Sequence, residues 1–558
     1  MKRIAFTLLL MMAARMAFAQ GNDEKTEVVV LMKSQYDHTI LCRQAACFPS
    51  RAARRTYIVE TLKAFSEASQ YDLRQTLEEM ERNGMVESIH SLWMSNALYF
   101  SATQSALSSL SERTDIALIS RNIKRQWIPE GEIPSKATDS REITPNITQV
   151  NADQVWNLGY KGQGIVVAVV DSGVNYEHED LADHLWDGGS EFPHHGYDIV
   201  NNDDDPMDDK GHGTHCAGTV CGDGTSGSLT GVAPEATLMC VKSINAEGFG
   251  GAVNIAGGME WAVEHGCDVI SMSLGMVGAE VADKEILRRT CEAVLDAGII
   301  ALVCAGNEGN AFLQLTYPVP NNVRVPASCP PPYLDPDQQV NPGGLSCVMA
   351  IGAVNGNDAA ADFTSRGPVT WKDTEFGDYA YNPGIGLIRP DVCAPGVNIK
   401  SLDYETTNGY CELSGTSQAT PCVGGIVALM LSKNPELTPA QICQILEETS
   451  VKLTPNKSNI TGVGRVDALA AINAVPACDD VIEADGHQCR IFPNPSKEDF
   501  TIECAGMQLI EVFSMDGRLV KRIQAEGPVH QLKGLMNGTY LVKITTDDGV
   551  IVNKVMKL

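Results

Sequence analysis

Hydrophobic and polar positions divide the chain into stretches with different periods. Thr26–Met32, Ala97–Phe100 and Ile116–Ile119 are short apolar runs that predict strands. Arg55–Asn83 carries Leu62, Phe65, Leu73, Leu77 and Met80 at helical spacing, and Ser101–Glu112 reads as a second helix. The order fits a ferredoxin-like β-α-β-β-α-β module. Trp127–Pro145 is polar, holds prolines and reads as a linker. From Ile147 the pattern changes. Ile165–Val170, Val269–Met272 and Ile299–Val303 are mostly apolar runs, the last two each following a helical segment. Such runs are buried parallel strands, and the alternation predicts an α/β fold: a doubly wound, mostly parallel sheet with helices on both faces. A long helix is predicted from Ser417 towards Ser432. Leu315–Cys347, rich in Pro, Asn and Gly, reads as a surface insertion. From Arg490, short alternating runs such as Leu509–Phe513, Leu519–Ile523 and Tyr540–Thr545 are split by turns at Asp516-Gly517, Asn537-Gly538 and Asp548-Gly549. That pattern predicts a small β-sandwich.

The 558 residues exceed one average domain. The predicted divisions are 1–19, 20–140, 141–476, a linker at 477–489, and 490–558. Charge supports them. Residues 141–486 hold 16 Lys+Arg against 46 Asp+Glu, a net of −30; residues 20–140 hold 14 against 16, a net of −2; residues 487–558 hold 9 against 8, a net of +1. A formal charge of −28 excludes a nucleic-acid binder working through basic surface. Residues 1–19 have a basic start (Lys2, Arg3), an apolar run from Ile4 to Ala14, and Ala17-Phe18-Ala19, which predicts a signal peptide and export. The run is too short to span a bilayer. Seventeen cysteines in an exported chain suggest disulfides, with Cys478–Cys489 and Cys329–Cys347 as the expected pairs.

Four segments carry chemistry. In Val167-Ala-Val-Val-Asp171-Ser-Gly-Val174 a carboxylate ends a buried strand, where ligands gather in α/β sheets. An aspartate there caps a turn or orients an imidazole. In Gly211-His212-Gly-Thr-His215-Cys-Ala-Gly218 small residues surround His212 at a helix start, where it suits a general base. His215 is expected to face the core. In Ser414-Gly-Thr-Ser417-Gln-Ala-Thr-Pro421, Ser417 opens an apolar helix, as an N-cap or as a nucleophile whose N–H binds an oxyanion. In Val303-Cys-Ala-Gly-Asn307-Glu-Gly309, an amide follows a buried strand and is able to donate to an oxyanion.

With these segments in the order Asp…His…Ser, the chain resembles the subtilisin-like serine proteases (subtilases). Phe363-Thr-Ser-Arg-Gly-Pro368 and Arg389-Pro-Asp-Val-Cys-Ala-Pro-Gly396 match as well, and the resemblance runs from about Ile147 to Ala474. It implies a serine endopeptidase acting on polypeptides through an acyl-enzyme. Asp171, His212 and Ser417 would form the triad, with Asn307 in the oxyanion hole. Ser273-Leu274-Gly275 and Cys304-Ala305-Gly306 resemble the walls of the primary specificity pocket. Gly248-Phe249-Gly250 resembles the edge strand that pairs with substrate. The walls hold no acid, which points to uncharged side chains on the acyl side of the cut bond. Asp198, Asn201, Asp203 and Asp205 match a structural Ca²⁺ loop of some subtilases. Residues 20–140 resemble a propeptide that assists folding and inhibits the enzyme. The tail, with Ile491-Phe-Pro-Asn-Pro495, Leu535–Lys543 and Lys554-Val-Met-Lys557, resembles the sorting domains of the type IX secretion system. That implies a partner in the secretion machinery and a secreted or surface-attached product. Two alternatives compete. A catalytically inactive subtilase fold would serve as a binding module. A metallohydrolase would use the six histidines between His178 and His215, but no HExxH occurs.

Overall fold

The structure is a computed structural model that describes residues 24–45, 48, 50–128, 135–136, 141–330, 348–371, 374, 387–476, 490–492, 499–504, 506–514, 519–525, 527–546 and 549–557. The predicted signal peptide and the 477–489 linker lie outside the described residues, as do Cys347, Cys478 and Cys489 of the expected pairs. Cys504 is disulfide-bonded.

The N-terminal module runs β1 (Thr26–Met32), α1 (His38–Ala45), α2 (Arg51–Arg82), β2 (Val86–Leu92), β3 (Ala97–Ala102), α3 (Gln104–Leu110) and β4 (Ile116–Arg121). Its antiparallel sheet has the order β2-β3-β1-β4. One face of the sheet packs Val28, Val30, Leu98 and Phe100 against Leu73 and Leu77 of α2. The other face turns Val29 and Leu31 towards Val253, Ala256 and Ile286 of the larger body. The module is therefore sandwiched, which explains why its central strands β1 and β3 are mostly apolar on both sides. Ser50 caps α2 through the Ala53 N–H. Arg125–Gln126 forms a short β5 beyond the module.

The body contains β6 (Val166–Asp171), β7 (Gly196–Asp198), α4 (His212–Cys221), β8 (Thr237–Lys242), β9 (Phe249–Gly250), α5 (Ala252–Glu264), β10 (Val269–Met272), α6 (Val281–Asp296), β11 (Ile300–Cys304), β12 (Met349–Val354), β13 (Val392–Pro395), β14 (Ile399–Leu402), β15 (Tyr410–Leu413), α7 (Thr416–Lys433), α8 (Pro439–Thr449) and α9 (Ala468–Ala474). Seven strands form one sheet in the order β13-β12-β11-β10-β6-β8-β7, and every pairing is parallel. Strands β10, β11 and β12, wholly buried, and β6, buried from Val167 on, need no polar face, because helices cover both sides. Helix α7 lies in the core, buried from Thr416 to Leu431. From Cys422 to Leu431 it is apolar all round, which suits a central position.

After the body come seven strands in two antiparallel sheets. One has β16 (Arg490–Phe492), β17 (Phe500–Glu503) and β20 (Val529–Leu532); the other has β18 (Met507–Ser514), β19 (Leu519–Gln524), β21 (Gly538–Thr546) and β22 (Gly549–Lys557). Phe500, Ile502, Ile510, Val512, Val542 and Ile544 fill the space between them. Among the described residues no helix is long and apolar enough to cross a membrane.

Two expectations change. Residues 322–329 are buried, not a surface insertion: Asn322 and Ala327 are fully covered. Trp127 does not open a linker; it is fully buried beside the Gly248–Gly250 edge. Both segments bury polar backbone at a cleft, where long-range partners satisfy it. Composition does not reveal such partners.

Candidate active site

Strand β6 ends at Asp171, whose carboxylate is fully buried. Its Oδ1 lies 2.7 Å from Nδ1 of His212 and accepts the Ser172 N–H at 2.8 Å. His212 opens α4. Helix and strand come so close that a Cβ on Gly213 would stand 2.0 Å from the Gly173 carbonyl oxygen. Asp208 anchors this helix start. It accepts the N–H groups of Lys210, Gly211 and Thr214 at 3.0, 2.9 and 2.9 Å. A buried carboxylate here satisfies orphan donors and complements the helix dipole. Burial alone would lower the His212 imidazole, but the Asp171 charge and hydrogen bond outweigh it and hold His212 well above the ordinary histidine range. His215 faces the core as expected, and burial pushes it down to about 3.

Ser417 lies in the first turn of α7. Its Oγ donates to the Ser273 carbonyl at 3.0 Å. Pro421, four residues on, has no N–H for the Ser417 carbonyl. The Ser273 hydroxyl replaces that donor at 2.7 Å, and the Cys216 thiol adds a contact at 3.5 Å. The proline thus ties the first turn to the pocket wall instead of to its own helix. Asn307 follows β11. Its Oδ1 accepts both the N–H and the hydroxyl of Thr416 at 3.0 Å. Those bonds consume the carbonyl end and set the amide –NH₂ as the donor end towards the cleft that Asn307 lines. Thr416, Asp208 and Pro421 were not singled out from sequence. Their nearness to the motif residues was the available signal.

The expected walls stand together. Leu274 and Ala305 are fully buried. The Gly306 N–H donates to Thr416 Oγ1 at 3.1 Å, so Ala305-Gly306 is fixed to the start of α7. The cleft measures about 730 Å³ and is lined by Gly275, Asn307, Glu308, Arg324 and Ser414, with Lys124, Arg125 and Gln126 from the N-terminal side. The expected edge strand is paired there: Phe249 opposes Gln126 and Gly250 opposes Arg125, antiparallel. Trp127 continues the strand. Its N–H donates to the Gly248 carbonyl and its indole N–H to the Gly250 carbonyl, both at 2.9 Å.

The loop expected to hold Ca²⁺ is committed to itself. Asp198 accepts the N–H groups of Val200 and Asn201 and the Asn201 side-chain amide. Asp203 accepts the Asp205 N–H, and Asp205 accepts the Tyr176 hydroxyl. Among the described residues, the His/Cys/Asp/Glu groups that converge as metal ligands are Asp171, His212 and Cys216 in the catalytic cluster, and Asp183, His184 and Asp223 elsewhere. Asp198, Asn201, Asp203 and Asp205 thus lie in a turn held by hydrogen bonds within the loop.

Comparison with known proteins agrees with this geometry. Residues 162–464 match the Subtilase family, and residues 490–558 match the Secretion system C-terminal sorting domain. The chain is 34% identical over 348 residues to "Serine protease AprX" of Bacillus subtilis (strain 168), covering 56% of this chain and 67% of that protein. It is 33% identical over 332 residues to "Subtilisin DY" of Bacillus licheniformis, covering 59% of this chain and 100% of that protein. It is 30% identical over 425 residues to "Subtilisin E" of Bacillus subtilis (strain 168), covering 75% of this chain and 91% of that protein. The sorting domain directs the chain out of the cell, for release or for attachment to its surface. The chain belongs to the subtilase family and is a serine endopeptidase that carries a C-terminal secretion sorting domain.

Proposed function

We propose that the protein hydrolyses peptide bonds through Asp171, His212 and Ser417 with an acyl-enzyme intermediate. The observation that carries this is the buried 2.7 Å contact of His212 Nδ1 with Asp171, on elements that also converge on Ser417 and Asn307. Asp171 holds the Nδ1–H tautomer, which makes Nε2 the basic nitrogen. Nε2 takes the Ser417 Oγ proton as Oγ attacks the peptide carbonyl. The developing oxyanion lies against the Asn307 amide and the Ser417 N–H at the start of α7. The protonated imidazole, favoured by Asp171, then delivers its proton to the leaving amine. Water resolves the acyl-enzyme by the same steps in reverse.

The N-terminal module acts as an inhibitor held in place by its own chain. Arg125–Trp127 occupies the edge that an extended substrate would use. The sorting domain engages the secretion machinery. The test combines serine-directed fluorophosphonate labelling and casein hydrolysis on the secreted wild type and on Ser417→Ala. Label and hydrolysis are expected in the wild type alone. A processed, folded wild type that takes no label and cuts nothing would remove the enzyme reading and leave a binding module.

A further inference from the structure

The primary specificity pocket has a floor that its two walls do not reveal. Residues 322–326 run between them. Met276 and Val325 exchange both backbone hydrogen bonds, at 3.0 and 2.9 Å, and the Arg324 N–H donates to the Ala305 carbonyl at 3.0 Å. Arg324 is thereby placed with its side chain between the walls. A Cβ on Gly275 would lie 2.8 Å from Arg324 Cβ, and one on Gly306 would lie 2.8 Å from Arg324 Cγ. The guanidinium side chain is 6% exposed, yet it lines the cleft. Among the cleft-lining residues that the catalytic body contributes, Arg324 is the cation and Glu308 the anion.

The two edges of the guanidinium have different partners. Nε and Nη2 face the Glu308 carboxylate. Glu308 is itself held by Ser365, whose hydroxyl donates to Oε2 at 3.0 Å and accepts the Glu308 N–H at 3.0 Å. Nη1 points the other way, to the carbonyls of Trp127 at 3.2 Å and Gly275 at 3.4 Å. Trp127 belongs to the segment that occupies the cleft, so one acceptor leaves when that segment leaves. What remains is an arginine oriented by a carboxylate on one edge and turned to the substrate on the other. A planar fork of this kind matches a second carboxylate. If the pocket only needed filling, an apolar side chain of similar volume would do so without desolvating two charges.

Resting on the protease reading above, we propose that Arg324, positioned by Glu308, makes this enzyme cut after acidic residues. The chain carries a matching segment of its own. Trp127 and Ile128 are anchored at the cleft, and Ser135–Lys136 pairs with Cys411–Glu412 on the far side. The six residues between are Pro129-Glu130-Gly131-Glu132-Ile133-Pro134. Glu130 lies nearer than Glu132 to the anchored Trp127 along the chain, and the bond after it is the assigned site of self-cleavage. The pocket walls alone suggested an uncharged preference; the floor reverses it.

The test uses the processed wild-type enzyme and peptides that differ only in the residue before the cut: Glu, Asp, Gln, Ala, Leu and Phe. The expected kcat/KM for Glu exceeds that for Gln by about 100-fold or more, because a site built for a charged hydrogen-bonding group rejects the analogue that lacks it. Arg324→Gln is expected to bring that ratio near unity while Ser417 still takes fluorophosphonate. Arg324→Lys keeps part of the preference. Glu308→Gln removes the competing carboxylate and lowers KM for the Glu peptide. The mature N-terminus is expected at Gly131; a start at Ile133 would also follow an acid and keep the assignment. If the wild type takes label and cuts casein but prefers Ala, Leu or Phe, the pair merely fills the pocket. The acidic assignment is then overturned while the protease reading stands. If nothing is labelled or cut, the protease reading itself fails. The wild-type profile decides the matter even if the Arg324 variants do not fold.

Discussion

The catalytic cluster and the face that holds the N-terminal module both rely on charge pairs, but of different kinds. Asp171 and His212 are buried, held on a strand end and a helix start, and backed by Asp208 and Ser172. Across the module interface three of the pairs are more exposed. Arg54 meets Glu436 with side chains 26% and 33% exposed, and Arg125 meets Glu280 at 24% and 50%. Lys63 with Glu264 is exposed too, whereas Arg51 with Asp268 and His38 with Asp296 are largely buried. In each interface pair the cation comes from the module and the anion from the body. The lopsided charge of the chain, −2 against −30, thus has a place in the structure. Exposed pairs contribute little each and are weakened by salt, whereas a buried pair with fixed geometry is kept. The Asp171–His212 pair is fixed by its burial, while the exposed docking pairs are individually weak, which suits the inhibitor role proposed above.

The contrast is broken most severely at the centre. Asp171→Asn is expected to lower kcat by about 10⁴ through the wrong His212 tautomer, leaving the fold intact by circular dichroism. Asn307→Ala should lower kcat by about 10²–10³ with KM nearly unchanged, because its donor acts on the oxyanion. At the docking face, Arg51→Ala in the full chain removes the partner of a largely buried Asp268 and should speed loss of the cleaved module from the body by about tenfold or more, read by gel filtration after processing. A rate equal to wild type would remove the ion pairs from the grip.

Raising pH should loosen the same interface. Glu260 accepts the Met94 N–H at 2.6 Å, and burial pushes its carboxyl up to about 8. A carboxyl raised in the docked form favours docking fully below its ordinary range. That advantage fades as pH climbs through about 8, by at most about tenfold per unit. His38 has the same sign. Burial lowers it, but Asp296 and Glu292 more than offset this, so its contribution is also lost as pH rises through the raised value. Module retention measured from pH 5 to 9 should fall monotonically, and Glu260→Gln should flatten the curve. The smallest effect is salt: raising ionic strength from about 0.05 to 0.5 M should weaken retention a few-fold and leave the kcat of the freed enzyme unchanged.

Much of the centre was legible because short-range rules place it. A carboxylate at the end of an apolar run, a histidine and a serine at helix starts among small residues, and an amide after a strand are local patterns. The fold brought all four together. The acidic run before His212 shows the limit of such patterns. Asp198, Asn201, Asp203 and Asp205, the expected cation loop, form a turn held by internal hydrogen bonds, while their unremarked neighbour Asp208 anchors the helix start. Composition shows many carboxylates but not which backbone donors claim them. The second strand of the N-terminal module, with mostly polar residues between Val86 and Leu92, left no apolar run to read.

By itself, the sequence determined the parallel α/β body and supplied the proposed three-part division and the candidate catalytic groups. Each follows from hydrophobic period or from a contiguous motif. The tertiary structure alone decided that Thr416 turns the Asn307 amide, that Ser273 replaces the donor lost at Pro421, that Trp127 binds the Gly248–Gly250 edge, and that Arg324 meets Glu308 and the Trp127 carbonyl. Each of these joins residues far apart in the chain through a hydrogen bond or a packing distance. Such a partner is chosen by which segments the closed core leaves facing one another, and no local period records that choice.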